Sequence, residues 1–217
     1  MRDHDAGEYA SPACSRHELD PGYLDGANPP RDVVAWRGEQ RARLIAARTA
    51  LAPAQRARRD GAIRDALDAE IRRRNHNTLS LVWPIQGEPD VRPLFERLAA
   101  RGIVLALPVV VAKDRPLAFH AWAPGEALAR GVWGIPVPVK TSAVVPELIV
   151  APVVGFDAGG HRLGHGGGYY DRTLAALSPR PAFLGVGYAE AELPTIHPQP
   201  HDQRLDAVVT EDGVRRF

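Results

Sequence analysis

Two uninterrupted apolar runs constrain this chain more than any other feature. They are "IVLALPVVV", residues 103–111, and "LIVAPVV", residues 148–154. A strand with one wet face alternates polar and apolar side chains. A strand buried on both faces does not, and such strands occur where helices cover a parallel sheet from both sides. The longest apolar run, Ile103 to Ala112, contains Pro108 and is too short for a membrane span. Around these runs the period lengthens to that of a helix. Helices are expected over Val33–Ala50, with Leu44, Ala47 and Leu51 as the apolar seam, and from Pro53 to "RRRNHN", with Ile63, Leu67 and Ile71 buried. A shorter helix is expected over 92–102, with Leu94, Phe95 and Leu98 inward and Gly102 as its stop. A last one holds Tyr170, Leu174 and Leu177 and is closed by Pro179. Strands are expected over 78–83, 103–111, 117–122, 147–157, 182–187 and 206–210. The implied fold is α/β: three layers, a mostly parallel sheet with helices on both faces, in a single domain over 31–217.

Composition narrows the setting. With 45% hydrophobic residues, the 217-residue chain can build a core without metal or disulfide staples. Its single cysteine, Cys14, has no partner in the chain, which points to a reducing, cytoplasmic setting. "MRDHDAGEYA" carries no apolar stretch and so is not a secretory signal. Residues 1–30 hold six acids against Arg2 and Arg16, with no helical or strand period, and are expected to be a disordered acidic tail. Residues 31–74 hold twelve arginines and six acids. Arg37, Arg41 and Arg48, at i, i+4 and i+11, share one stripe of the first helix. The arginine cluster over 31–74 suits a phosphate-bearing ligand or a solvated helix face equally well. Nucleic acid is the weaker reading, because acids interrupt the arginines and no stacking aromatics accompany them.

The stretch "RLGHGGGYYDR", Arg162 to Arg172, holds four glycines in five residues, and side chains rich in chemistry follow at once. It falls between a buried strand and a helix start, where ligands bind in α/β sheets. Glycines let main-chain N–H groups close on an anion, and the helix that follows adds unpaired donors. A flexible turn would need neither Arg162 nor Asp171 and Arg172 at its flanks. The loop is not a P-loop, because neither Lys113 nor Lys140 follows a glycine. It is not a dinucleotide fingerprint, because Tyr169 stands at the third glycine position.

"GFDAGGHRLGHGGGYYDR" resembles the signature of the 5-formyltetrahydrofolate cyclo-ligase family, also called methenyltetrahydrofolate synthetase. The resemblance extends to "HDQRLDAVVTE", "GEPDVRPLFERLAARG", "GIPVP" and the arginine-rich first hairpin, and covers about residues 35–213. It implies an ATP-dependent ring closure of 5-formyltetrahydrofolate to 5,10-methenyltetrahydrofolate, with ADP and phosphate released. By that resemblance Arg37, Arg41, Arg162, Leu163, Gly164, His165, Gly166, Gly167, Gly168, Tyr169 and Tyr170 bind ATP. Arg162 and Asp171 are catalytic, and Asp171 and Asp202 hold Mg²⁺, with Asp206 as the alternative second acid. Glu88, Trp83 and Trp133 meet the folate. One of the two tyrosines faces ligand while the other packs. Partners are small molecules, with neither nucleic acid nor membrane, and a monomer is expected. Three departures stand out. Arg37 replaces a lysine usual in the family, Gly167 replaces a basic residue of some members, and Val137 replaces Glu or Gln. The changes at Arg37 and Val137 leave room for a member that binds folate or nucleotide without turnover. A sugar-phosphate isomerase would need an acid–base pair that this sequence does not display.

Overall fold

The structure is a computed structural model that describes residues 32–217; the acidic tail over 1–30 lies outside the described residues. Helix α1 (Val33–Thr49) begins at Asp32, whose carboxylate accepts the amide of Ala35 at 3.0 Å. Helix α2 (Pro53–Arg74) opens on proline and ends in three arginines, which suit the negative pole of its dipole. Strand β1 (Thr78–Ser80), helix α3 (Pro93–Ala100) and strands β2 (Val104–Val109) and β3 (Ala118–Ala121) follow. A hairpin of β4 (Leu128–Arg130) and β5 (Pro136–Pro138) comes next, then β6 (Leu148–Pro152), β7 (Gly155–Asp157) and β8 (Arg162–Leu163). Helix α4 (Tyr169–Ala176), β9 (Ala182–Val186), β10 (Glu192–Leu193), β11 (Ala207–Thr210) and β12 (Gly213–Arg216) complete the order.

Seven strands form one sheet in the order β12-β11-β9-β6-β1-β2-β3. The inner five are parallel, and β3 and β12 close the edges antiparallel. The apolar runs explain the layering. Leu148 and Val150 of β6 look to one side, Ile149 and Ala151 to the other, and all four are buried. Leu184 and Val186 oppose Phe183 in the same way, and Ala207 and Val209 oppose Val208. One face receives Ile63, Leu67 and Ile71 of α2 with Leu94, Phe95 and Leu98 of α3. The other receives Leu44 of α1 and Leu174 of α4, together with Phe156, Leu163 and Leu193 of the small strands. Burying each such side chain is worth roughly 1.5–3 kcal/mol. The three-layer α/β expectation therefore holds.

Several expectations fail locally: the strand expected over 78–83 ends at Ser80, and Ala47 of the expected α1 seam is exposed. The run 147–157 is two strands, not one. Val153 donates its amide to Val186 of β9, and the next residue, Val154, donates to Leu163 of β8. The chain changes hydrogen-bond partners between adjacent residues and enters a second, three-stranded sheet ordered β10-β7-β8. Between residues 122 and 147, where the expected elements include no strand, the chain forms the β4–β5 hairpin. Among the described residues, no helix is long and apolar enough to cross a membrane.

Candidate functional site

The arginine stripe of α1 faces protein rather than solvent. Arg37 is buried, donates from Nε to the carbonyl of Ile196 and from Nη2 to that of His197, both at 3.0 Å, and pairs with Asp202. One turn on, Arg41 donates from Nε to the carbonyl of Gly164 at 2.7 Å. Arg48, 4% exposed, donates to the carbonyls of Gln86 at 2.9 Å and Val153 at 3.4 Å and reaches Glu88 Oε1 at 3.4 Å. One helix thus addresses three segments: residues 196–202, the glycine loop, and the turn beyond β1. Burial lowers the pKa of Arg48, while the charge of Glu88 opposes that shift.

Glu88 is 4% exposed and sits beyond the carboxyl end of β1. Its Oε2 accepts the amide of Ile85 at 3.0 Å, and its Oε1 meets Nε2 of His165 at 2.8 Å. An ionised carboxylate only accepts, so Nε2 of His165 carries the hydrogen and donates. The 3.5 Å approach of Arg48 Nη2 to that same nitrogen is then a contact, not a hydrogen bond. Trp83 leans on Phe95 and Trp122, with ring centroids 6.3 and 6.1 Å apart, beneath the Arg92 guanidinium.

The glycine loop follows β8 of the small sheet, not a strand of the main sheet, and it reaches the carboxyl edge through His165. Gly168 caps α4 at φ 61°, a left-handed conformation that side chains resist. A Cβ on Gly167 would lie 2.7 Å from the ring of Tyr169, whereas one on Gly164 would meet nothing within 4 Å. Gly166 looks onto the Arg41 guanidinium. Leu163 belongs to the core, so only its main chain is near the loop.

Behind the loop, Arg162 grips Asp171 with two parallel bonds of 2.8 and 3.0 Å. Asp171 also accepts the amide of Gln203 at 2.9 Å, one residue past Asp202. The two acids read from the sequence thus meet at one segment, although each is held by an arginine. Asp206 stands elsewhere, with Arg180 and the amide of Phe183. Among the described residues, no group of three or more His, Cys, Asp or Glu side chains is arranged to hold a metal. Tyr170 stacks on Phe183 at 6.2 Å, and burial raises its phenol pKa. Tyr169 lies edge-on to Trp133 at 5.7 Å with the Arg172 guanidinium over its ring. Trp133 is 43% exposed at the tip of the β4–β5 hairpin with φ 54°. A bulky residue at positive φ is strained, and such strain gathers at ligand clamps. Arg48 was not singled out as a site residue from the sequence. Its place on the stripe of Arg37 and Arg41 was the available signal.

The 5-formyltetrahydrofolate cyclo-ligase family model matches residues 33–211, from the start of α1 to just past β11. The chain belongs to that family. The cyclo-ligase of Haemophilus influenzae is 30% identical over 138 residues, spanning 58% of this chain and 73% of that protein. The cyclo-ligase of Mus musculus is 25% identical over 187 residues, spanning 80% and 92%. The NMR structure of Aquifex aeolicus 5,10-methenyltetrahydrofolate synthetase superposes with a TM-score of 0.72 at 31% identity, covering 83% of this chain and 92% of that one. A Mycoplasma pneumoniae synthetase of the same name shares the fold at TM-score 0.68 and 24% identity. The matched span of this cyclo-ligase chain takes in α1, Glu88, the glycine loop and Asp202 together.

Proposed function

We propose that this chain closes 5-formyltetrahydrofolate to 5,10-methenyltetrahydrofolate at the expense of ATP. One observation carries the reading: His165, inside the glycine loop, hydrogen-bonds Glu88, so a phosphate cradle and an acid suited to a pterin face each other. The formyl oxygen attacks the γ-phosphorus and ADP leaves. N10 of the folate then attacks the formyl carbon, loses its proton, and phosphate departs with the former formyl oxygen. Such chemistry asks the protein mainly for position and for countercharge. Arg41 and the amides of residues 164–168 hold the triphosphate. Glu88 accepts from the pterin amino and ring N–H groups, and Trp133 supplies a stacking surface. Magnesium enters on ATP as part of that substrate. Two carboxylates, Asp171 and Asp202, suit an ion that brings phosphate oxygens and water with it. The Arg162–Asp171 pair ties together the two flanks of the loop, β8 and the first turn of α4.

The test is direct. Purified protein with Mg-ATP and 5-formyltetrahydrofolate should develop the methenyl chromophore, and should consume ATP only when the folate is present. Asp171→Asn is expected to lower turnover at least about 100-fold. ATP consumption independent of folate, or folate binding without any product, would overturn the assignment.

A further inference from the structure

We infer that His165 is a displaceable cover on Glu88 that couples the nucleotide half of the site to the folate half. The inference rests on the assignment of Glu88 to the folate. Both carboxylate oxygens of Glu88 are occupied: Oε2 by the amide of Ile85, Oε1 by His165 with Arg48 beside it. The side chain is 1% exposed. Oε2 keeps an open lone pair, but at that burial a pterin amino group reaches Glu88 only if one neighbour withdraws.

The three neighbours differ in what withdrawal costs. The amide of Ile85 belongs to the same turn, closed by the amide of Glu88 donating to the carbonyl of Ile85 at 2.9 Å. Arg48 is buried and tied to two further carbonyls, those of Gln86 and Val153. His165 has a side chain 32% exposed, and every other residue from 164 to 168 is glycine. Its imidazole is therefore the group free to swing. It is also the one side chain beyond hydrogen between Leu163 and Tyr169. Any reshaping of the loop around phosphate oxygens moves it. Nucleotide in the loop thereby uncovers Glu88, and folate on Glu88 in turn favours the loop geometry that nucleotide needs, since such coupling is reciprocal.

The probes are 5-formyltetrahydrofolate and the magnesium complex of a non-hydrolysable ATP analogue, with binding read by calorimetry. In the wild type the saturating analogue should tighten folate binding by about tenfold, within the usual range of site coupling. His165→Ala should bind folate without nucleotide as tightly as the wild type does with it, and the analogue's effect should fall below about twofold. His165→Gln, which still offers an N–H to Glu88, should retain the coupling. Undiminished coupling in His165→Ala, or no coupling in the wild type, overturns the inference. The nitrogen resonance of His165 Nε2 gives a readout without mutation. It should shift when the analogue alone is added, and constancy overturns the inference as well. Glu88→Gln separates the two layers: unchanged folate affinity there overturns the role of Glu88 itself, whereas a large loss there with undiminished coupling in His165→Ala overturns only the cover.

Discussion

Gly167 owes its identity to one neighbour. A methyl group there would press on Cδ2 and Cε2 of Tyr169 at 2.7 and 2.8 Å, and Tyr169 in turn supports the exposed Trp133. Gly167→Ala is therefore expected to displace both rings and to lower kcat/KM about 100-fold, the usual consequence of misplacing a substrate contact by about 1 Å. Gly164→Ala is the matched control, because space there is open. It should leave the melting temperature unchanged, so that any loss of activity reports the approach of a ligand to that main chain. Steady-state kinetics and a thermal melt on the two variants separate packing from binding. Glu88 and Arg48 teach a related lesson. Each alone would be an expensive buried charge, and together with His165 and Ile85 they form a satisfied cluster that stays poised toward a ligand.

Elements were legible where a period spoke for itself. Ile63, Leu67 and Ile71 marked the buried face of α2, and the spacing of Arg37, Arg41 and Arg48 marked one face of α1 before any partner was known. The break at Val153–Val154 was illegible because both halves are equally apolar, and only the switch of hydrogen-bond partner separates them. The β4–β5 hairpin hid in a stretch of prolines and glycines. The pairings of Arg37 with Asp202 and of Glu88 with His165 join distant positions, and no local pattern encodes them. The end of α2 shows what such long-range pairing does for stability. Glu70, fully buried, receives Arg73 and Arg74 from its own helix and Arg216 from β12. Hydrogen bonds from Arg73 first, and then from Arg216 and Arg74, hold its carboxyl well below the usual carboxylate range, against the opposing effect of burial. A depressed carboxyl stabilises the fold above its unfolded pKa of about 4.3 and loses that contribution as pH falls toward the folded value. Glu70→Gln should cost about 1–2 kcal/mol at pH 7, a figure discounted because Arg73 and Arg216 are half exposed. Urea unfolding should find that the gap to the wild type narrows below about pH 4. A gap independent of pH would assign the cost to packing instead.

At the scale of the whole molecule, ligand and fold are linked by mass action. The non-hydrolysable ATP analogue with magnesium, at about 100 times its dissociation constant, should add about 2.7 kcal/mol to stability. For a chain of this size that raises Tm by about 5–10 °C, readable by differential scanning fluorimetry. No shift would mean that the glycine loop does not hold nucleotide. Beside that loop, Arg37 pairs with Asp202, which stands 165 positions away in the chain. During synthesis, α1 and the six strands from β1 to β6 leave the ribosome well before Asp202 exists. A chain stalled ahead of residue 196 would hold Arg37 with neither its carboxylate nor the two carbonyls it binds, and a buried cation without them costs several kcal/mol. Nascent molecules thus carry Arg37 without its countercharge until residues 196–202 are made, and that unpaired cation distinguishes the immature chain from the mature one.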